Sequence, residues 1–254
     1  MSKLLFNELG STPSTPSSGK LAVYAKTDKK VYKKTSDGVE TELGAGIATI
    51  DGGEVAHPLS PYYQAPPAAS TFTTWDNQDS ATLTDIASGG FVLKHAQSSN
   101  NYITTKVATL SPNNNYKFTF MVIPTTWGQY NRVGIALKYS GENKIVFFGY
   151  MQRDDGPFII VHKYTSSTVF DGVYYEQQMR PAAYAPTWFQ LHDDGTYWRW
   201  KFSVDGTNFL EIGTTARNDW FSSAANRYGP AVGYECASGL DILGWYRSWK
   251  LESV

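Results

Sequence analysis

Trp188-Phe-Gln-Leu-His192, Asp193-Asp-Gly195, Tyr197-Trp-Arg-Trp-Lys-Phe-Ser-Val204, Asp205-Gly206 and Asn208-Phe-Leu-Glu-Ile212 form the stretch whose reading decides the fold. Two turn signals divide it into three short runs rich in aromatic and β-branched residues, the length and composition of strands. Each turn offers a glycine for the positive φ of a tight connection, and its aspartates bond their own backbone. Alternation along the second run sets Trp198, Trp200, Phe202 and Val204 on one face. With Trp188 these aromatics read as core, because large rings at strand spacing fill the interior between two sheets.

The same grammar continues on both sides. Asn115-Tyr-Lys-Phe-Thr-Phe-Met-Val-Ile-Pro124 places Tyr116, Phe118, Phe120 and Val122 on one face and Lys117 and Thr119 on the other. Arg132 to Tyr139 repeats the pattern with Val133, Ile135, Leu137 and Tyr139. Lys144-Ile-Val-Phe-Phe-Gly-Tyr-Met-Gln152 meets Phe158-Ile-Ile-Val-His-Lys-Tyr164 across Asp154-Asp-Gly-Pro157, a hairpin signal that makes the two runs antiparallel neighbours. No segment carries a sustained helical period. The Trp-bearing strand, the turn, the Phe-Ser-Val-Asp-Gly-Thr-Asn-Phe run and the later Ala231-Val-Gly-Tyr, Leu240-Asp-Ile and Tyr246-Arg-Ser-Trp-Lys-Leu together resemble the concanavalin A-like or laminin G-like jelly-roll superfamily over about residues 187–252. That resemblance implies an antiparallel β-sandwich. It implies little about activity, since jelly rolls host lectins, glycosidases and structural domains alike.

Glycosidases of this superfamily carry paired carboxylates on one strand, as Glu-x-Asp-x-x-Glu, and no such run occurs here. Glu211 and Glu235 stand alone, and Asp154, Asp155, Asp193 and Asp194 belong to turns. Cys236 has no neighbouring histidine and no Gly-x-Ser-x-Gly elbow is present. His57, His95, His162 and His192 are dispersed, without the spacing of a zinc site. The resemblance raises loop-held calcium, for which Asp171, Asp193, Asp194 and Asp241 are the available oxygens, but no contiguous calcium loop exists. The reading is a domain without catalytic residues, metal or cofactor. Aromatics placed outside the clear strands, Trp127, Tyr130, Tyr174, Tyr175, Trp220 and Trp245, are candidates for contact with a glycan or a partner protein.

The N-terminal part is different in kind. Gly10 to Lys20 is rich in Ser, Thr and Pro, and three short strand-like runs follow up to Leu43. An isolated meander of this size is marginal in water, so Leu21, Val23, Val31, Val39 and Leu43 require a covering surface. Thr12-Pro-Ser-Thr-Pro16, Gly19-Lys-Leu-Ala-Val-Tyr-Ala-Lys26, Val31-Tyr32 and Asp37-Gly-Val39 resemble the N-terminal module of tailed-bacteriophage virion proteins such as tail fibres and head decoration proteins. The resemblance implies an anchoring role through Leu21, Val23, Tyr24, Val31, Tyr32, Val39 and Leu43.

The expected organisation is all-β: an anchoring β arm over 1–45, a Gly/Pro-rich connector over 46–70, and a jelly-roll sandwich over 71–254. With 22 basic and 23 acidic side chains the formal charge is −1, so neither nucleic acid nor an anionic membrane gains general attraction. The basic cluster Lys26, Lys29, Lys30, Lys33 and Lys34 suits solvated strand edges or an acidic partner. A lone cysteine excludes an intrachain disulfide and fits synthesis in the host cytoplasm, as does an N-terminus without a long apolar run. The expected protein is a homotrimeric virion surface component, a capsid decoration or cement protein attached to the major capsid protein. A receptor-binding tail fibre or tailspike attached to tail or baseplate and recognising host glycan is the alternative, and a polysaccharide depolymerase the third.

Overall fold

Runs punctuated by Gly, Asp and Pro become short strands throughout. A computed structural model describes residues 8–9, 11–20, 22–27, 31–43, 64–87, 89–96, 102–111, 114–124, 128–179, 187–234 and 241–254. Leu21 and Trp127, and the side chains of Val31 and Leu43, lie outside the described part. The chain divides into two units, Met1–Leu59 and Ser60–Val254.

In the first unit β1 (Glu8–Leu9), β2 (Ala22–Lys26), β3 (Val31–Lys34) and β4 (Glu40–Leu43) form one sheet in that order, with β1 parallel to β2 and the rest antiparallel. Tyr24 lies opposite Tyr32, and their rings stack with centroids 6.1 Å apart. Lys26 Nζ sits 4.3 Å above the Tyr32 ring. Glu40 accepts hydrogen bonds from Tyr24, from Lys26 and, at 3.2 Å, from Thr12. Lys34 donates to the Pro13 carbonyl at 2.9 Å. These bonds hold the Ser/Thr/Pro stretch to the meander, which offsets the entropy of ordering it.

The second unit continues with β5 (Thr74–Asp76), β6 (Thr82–Asp85), β7 (Phe91–His95), β8 (Tyr102–Thr109), β9 (Tyr116–Pro124), β10 (Arg132–Lys138) and β11 (Ile145–Arg153). It is completed by β12 (Gly156–Ser166), β13 (Val169–Gln178), β14 (Thr187–Asp193), β15 (Tyr197–Ser203), β16 (Leu210–Ala216), β17 (Arg227–Tyr234) and β18 (Ile242–Ser253). Two antiparallel seven-stranded sheets result, ordered β13-β12-β11-β10-β17-β8-β5 and β16-β15-β14-β9-β18-β7-β6. They pack face to face as a jelly-roll sandwich.

The inner faces follow the expected alternation. Tyr116, Phe118, Phe120 and Val122 from one sheet meet Val133, Ile135, Leu137 and Phe148 from the other, all essentially buried. Phe120 stacks on Phe189 at 5.0 Å and Phe148 meets Trp200 edge-on at 5.2 Å. Burying each such side chain contributes about 1.5–3 kcal/mol. Tyr246 reaches across from β18: its hydroxyl donates to Gly134 C=O and accepts from Ala231 N–H at 3.1 Å, joining the sheets through the β10–β17 ladder. Trp198, Trp200 and Phe202 pack with this core, but Val204 lies beyond the end of β15 and is exposed. Trp188 is buried, yet alternation with the inward Phe189 and Leu191 assigns it to the outer face of its sheet.

Two further departures matter. Residues 64–70, expected in the connector, are tied to the sandwich: Gln64 N–H donates to Ser248 Oγ, Trp249 N–H to Gln64 C=O, and Ala69 N–H to Asp85. The other departure is a second buried apolar cluster, on the outer face of the β13–β5 sheet, built from Ile103, Ala136, Ile145, Phe147, Met151, Phe158, Ile160, Tyr164 and Ala231. Ile103 N–H donates to Ser167 C=O, in the β12–β13 turn, at 2.7 Å. In a flat sheet β8 and β12, four positions apart, would be separated by about 19 Å at the usual strand spacing. The sheet and its β12–β13 end therefore arch over the intervening strands and enclose that face.

Candidate functional site

Two extra residues on β13 organise the site. Val161 pairs with Tyr175 and His162 with Val173, leaving Tyr174 as a β-bulge, and Lys163 pairs with Gly172 and Tyr164 with Phe170, leaving Asp171 as another. The first puts consecutive tyrosines, Tyr174 and Tyr175, against the main core, and each resets the alternation beyond it. Phe170, Val173, Glu176 and Gln178 then follow one another on the outer face, opposite Tyr164, His162, Ile160 and Phe158 of β12.

The strip has an apolar half and a polar half. Phe170 and Val173 are 41% and 46% exposed. The Phe170 ring meets His162 edge-on at 5.3 Å and Tyr164 at 5.6 Å, which fixes it in place. In the polar half Glu176 holds His162 Nε2 at 2.9 Å through one oxygen and accepts from Arg153 Nη1 at 3.1 Å through the other. The Arg153 guanidinium lies 4.7 Å above the Phe158 ring and 3.6 Å from Asp155. Gln178 donates to the Asp155 carbonyl at 2.7 Å. The bond with His162 is the largest influence on Glu176 and holds its carboxyl below the usual range, with the charges of Arg153 and Arg132 adding to it against the opposing effect of burial. Glu176 is thus an ionised, well-positioned acceptor beside a planar donor and an aromatic face, a set suited to hydroxyl groups.

Most of the aromatics singled out in the sequence do other work. Tyr175 accepts from Thr214 N–H at 3.0 Å and donates to Thr214 C=O at 2.6 Å, occupying the backbone of edge strand β16. Gly213 makes room for its ring: a Cβ there would stand 2.1 Å from the Tyr175 ring. Tyr174 donates to Asp219 at 2.6 Å. Lys163 Nζ lies 4.8 Å from the rings of both Tyr174 and Trp220, and Lys144 Nζ lies 4.8 Å from Trp220 while donating to its carbonyl. Tyr174 and Trp220 are therefore brought together, as a latch that holds the loop after β16 onto β12 and β13. Trp245 is separate, stacked with Arg247 at 4.3 Å and donating to Gly89 C=O at 3.3 Å. Tyr130 packs against the second apolar cluster with its N–H on Gln152 C=O, next to the polar half of the strip.

The remaining candidates are also placed. Asp193 is buried under Arg217 at 2.9 Å and Trp198 at 3.0 Å, Asp194 serves its turn and Arg199, Asp171 lies 3.6 Å from Lys163, and Asp241 pairs with Lys94 at 2.5 Å. Among the described residues no three His, Cys, Asp or Glu gather to hold a metal. In the N-terminal sheet Val23 and Val39 are 40% and 55% exposed. Tyr24 is instead buried and Tyr32 half-buried, both within the sheet's own network, where burial and then the Glu40 bond push the Tyr24 phenol up to about 12. Phe170, Val173, Arg153, His162 and Glu176 escaped the sequence reading. A bulge leaves no mark in alternation, and partners 14 and 23 residues apart announce no motif.

The chain matches no known family profile and no curated protein sequence. Its fold is shared with solved structures. One is a functionally unknown protein from Saccharomyces cerevisiae, 11% identical, covering 74% of this chain and 99% of that one with a TM-score of 0.56. Another is an engineered GH43 glycoside hydrolase that displays endo-xylanase and exo-arabinofuranosidase activity, 12% identical with a TM-score of 0.53. The match takes in 92% of this chain but only 54% of the hydrolase. A third is the CBM2 module of the evolved Dit of Lactobacillus casei BL23 phage J-1, 13% identical, covering 76% and 92% with a TM-score of 0.50. At these identities the likeness is one of fold.

Proposed function

We propose that the chain is a non-enzymatic surface protein of a tailed-bacteriophage virion, attached by its N-terminal sheet and presenting a glycan-binding sandwich. The observation that carries the binding half is the Glu176–Arg153–His162 group beside Phe158 and Phe170: fixed planar hydrogen-bonding groups next to rings suit a sugar's hydroxyls and its C–H face. A general acid for glycoside cleavage needs a raised carboxyl pKa. Glu176 is shifted the other way, which fits an ionised acceptor rather than that acid. The attachment half is supported by the resemblance of residues 12–39 to virion modules and by the exposed Val23 and Val39. Sharing a fold with a phage module is compatible with this reading.

Within it, the chain is a homotrimeric capsid decoration protein, and a tail position is the rival. Imaging labelled protein on particles separates capsid from tail. Glycan-array binding by the full chain, lost in Arg153→Ala and in Glu176→Gln, tests the strip. Array silence with both variants folded, or reducing-end release from a polysaccharide that depends on Glu176, would overturn the non-enzymatic lectin reading.

A further inference from the structure

The strip along β13 is divided, and the division specifies a ligand. From Phe170 to Gln178 it runs about 27 Å at the usual rise of a strand, somewhat less through the bulges. That length accepts several sugars in line, and its width is little more than one strand and its neighbour. The two exposed apolar residues fall far short of the roughly 800 Å² per partner that a stable protein interface buries. A slender, extended ligand fits the strip better than a folded partner.

Hydroxyl-rich sugars have no use for Val173. An isopropyl group 46% exposed, paired with His162, whose ring meets Phe170 edge-on at 5.3 Å, offers a shallow apolar seat on the face that Phe170 shares. The next outward residue, Glu176, begins the polar half, with Arg153 and Gln178 following. A ligand that satisfies both halves carries a methyl group at one sugar and hydroxyls at the next.

We infer that the strip takes an extended oligosaccharide containing a methyl-bearing sugar, N-acetylated or 6-deoxy, with the methyl seated on Phe170 and Val173 and the adjoining sugar's hydroxyls on Arg153 and Glu176. This rests on the glycan-binding reading above and narrows it to a class of sugar.

Calorimetric titration of the full chain with three probes tests it: an N-acetylglucosamine trimer, a rhamnose trimer and a glucose trimer. At least one methyl-bearing trimer binds about tenfold tighter than the glucose trimer, the low end of what one methyl contributes in an apolar contact. The N-acetyl and rhamnose arms show which source of the methyl the seat prefers. Val173→Ser reduces that preference to within about twofold and leaves the glucose trimer unchanged, while Phe170→Ser with Val173→Ser removes the preference and weakens the glucose trimer as well, because a sugar's C–H face then loses a ring. The single variant keeps Phe170 in its ring contacts, so folding does not confound the result. Binding without a methyl preference, or a preference that both variants retain, overturns the inference and leaves the glycan-binding reading standing. Failure of all three probes to bind overturns both.

Discussion

The Tyr175 hydroxyl engages the N–H and the C=O of one residue, Thr214, on an edge strand. Unpaired edge groups invite another chain to add a strand, and a hydroxyl bonded to both blocks that at one position. Tyr175→Phe should cost about 1–2 kcal/mol in urea unfolding, the range for leaving partly buried backbone groups unpaired. His95 supplies a second test at this scale. It is buried, with Tyr234 Oη 2.7 Å from Nδ1, and burial, its largest influence, holds its pKa below 6.5. The unfolded chain takes up a proton near that value while the folded state resists it. Stability is therefore full above about pH 6.5 and falls as the pH drops from there toward the lower folded value. Urea midpoints between pH 8 and pH 5 should show that decline, and His95→Asn should flatten it. Individual roles such as these were hidden in the sequence. Tyr174 and Tyr175 look like loop aromatics free for a ligand, and only the partner of each hydroxyl, the Asp219 carboxylate for Tyr174 and the Thr214 backbone for Tyr175, reveals otherwise.

Among the elements, β13 is where alternation stops being a guide. Its irregularities at Tyr174 and Asp171 bring Phe170, Val173 and Glu176 into line on one face, so a strict two-residue period misassigns part of the strand. The Tyr175 ring depends on Gly213 for space. Gly213→Ala should displace it and destabilise the sandwich by about 1–3 kcal/mol, the usual cost of overpacking, with the loss read in thermal unfolding. Strands without such irregularities were legible: β9 and β10 bury the residues that period two selects. β11 carries its own signal. The unbroken run Ile145-Val-Phe-Phe-Gly-Tyr-Met151 belongs to a strand buried on both faces, and the second apolar cluster is the physical reason. What that run does not disclose is the arch that covers it, because the Ile103–Ser167 bond joins β8 to the β12–β13 turn, far apart in the sheet order.

At the scale of the molecule, the chain divides into two units. The all-β character was legible from turn chemistry and aromatic spacing and the jelly roll from the resemblance over residues 187–252, while the boundary at Leu59–Ser60 was not, because Gln64 pairs with a bulged strand far away in sequence. The N-terminal sheet fastens one set of side chains through Tyr24, Tyr32, Lys26 and Glu40 and leaves Val23 and Val39 exposed. Small sheets with an unburied apolar side gain from association, so sedimentation should give a trimer for the full chain, and Val23→Glu with Val39→Glu should weaken it. If the N-terminal sheet attaches and the sandwich presents, cosedimentation with phage particles separates the full chain from residues 60–254. The full chain pellets with particles, while the shorter chain stays folded in the supernatant. Full occupancy of particles by residues 60–254 would put attachment in the sandwich instead.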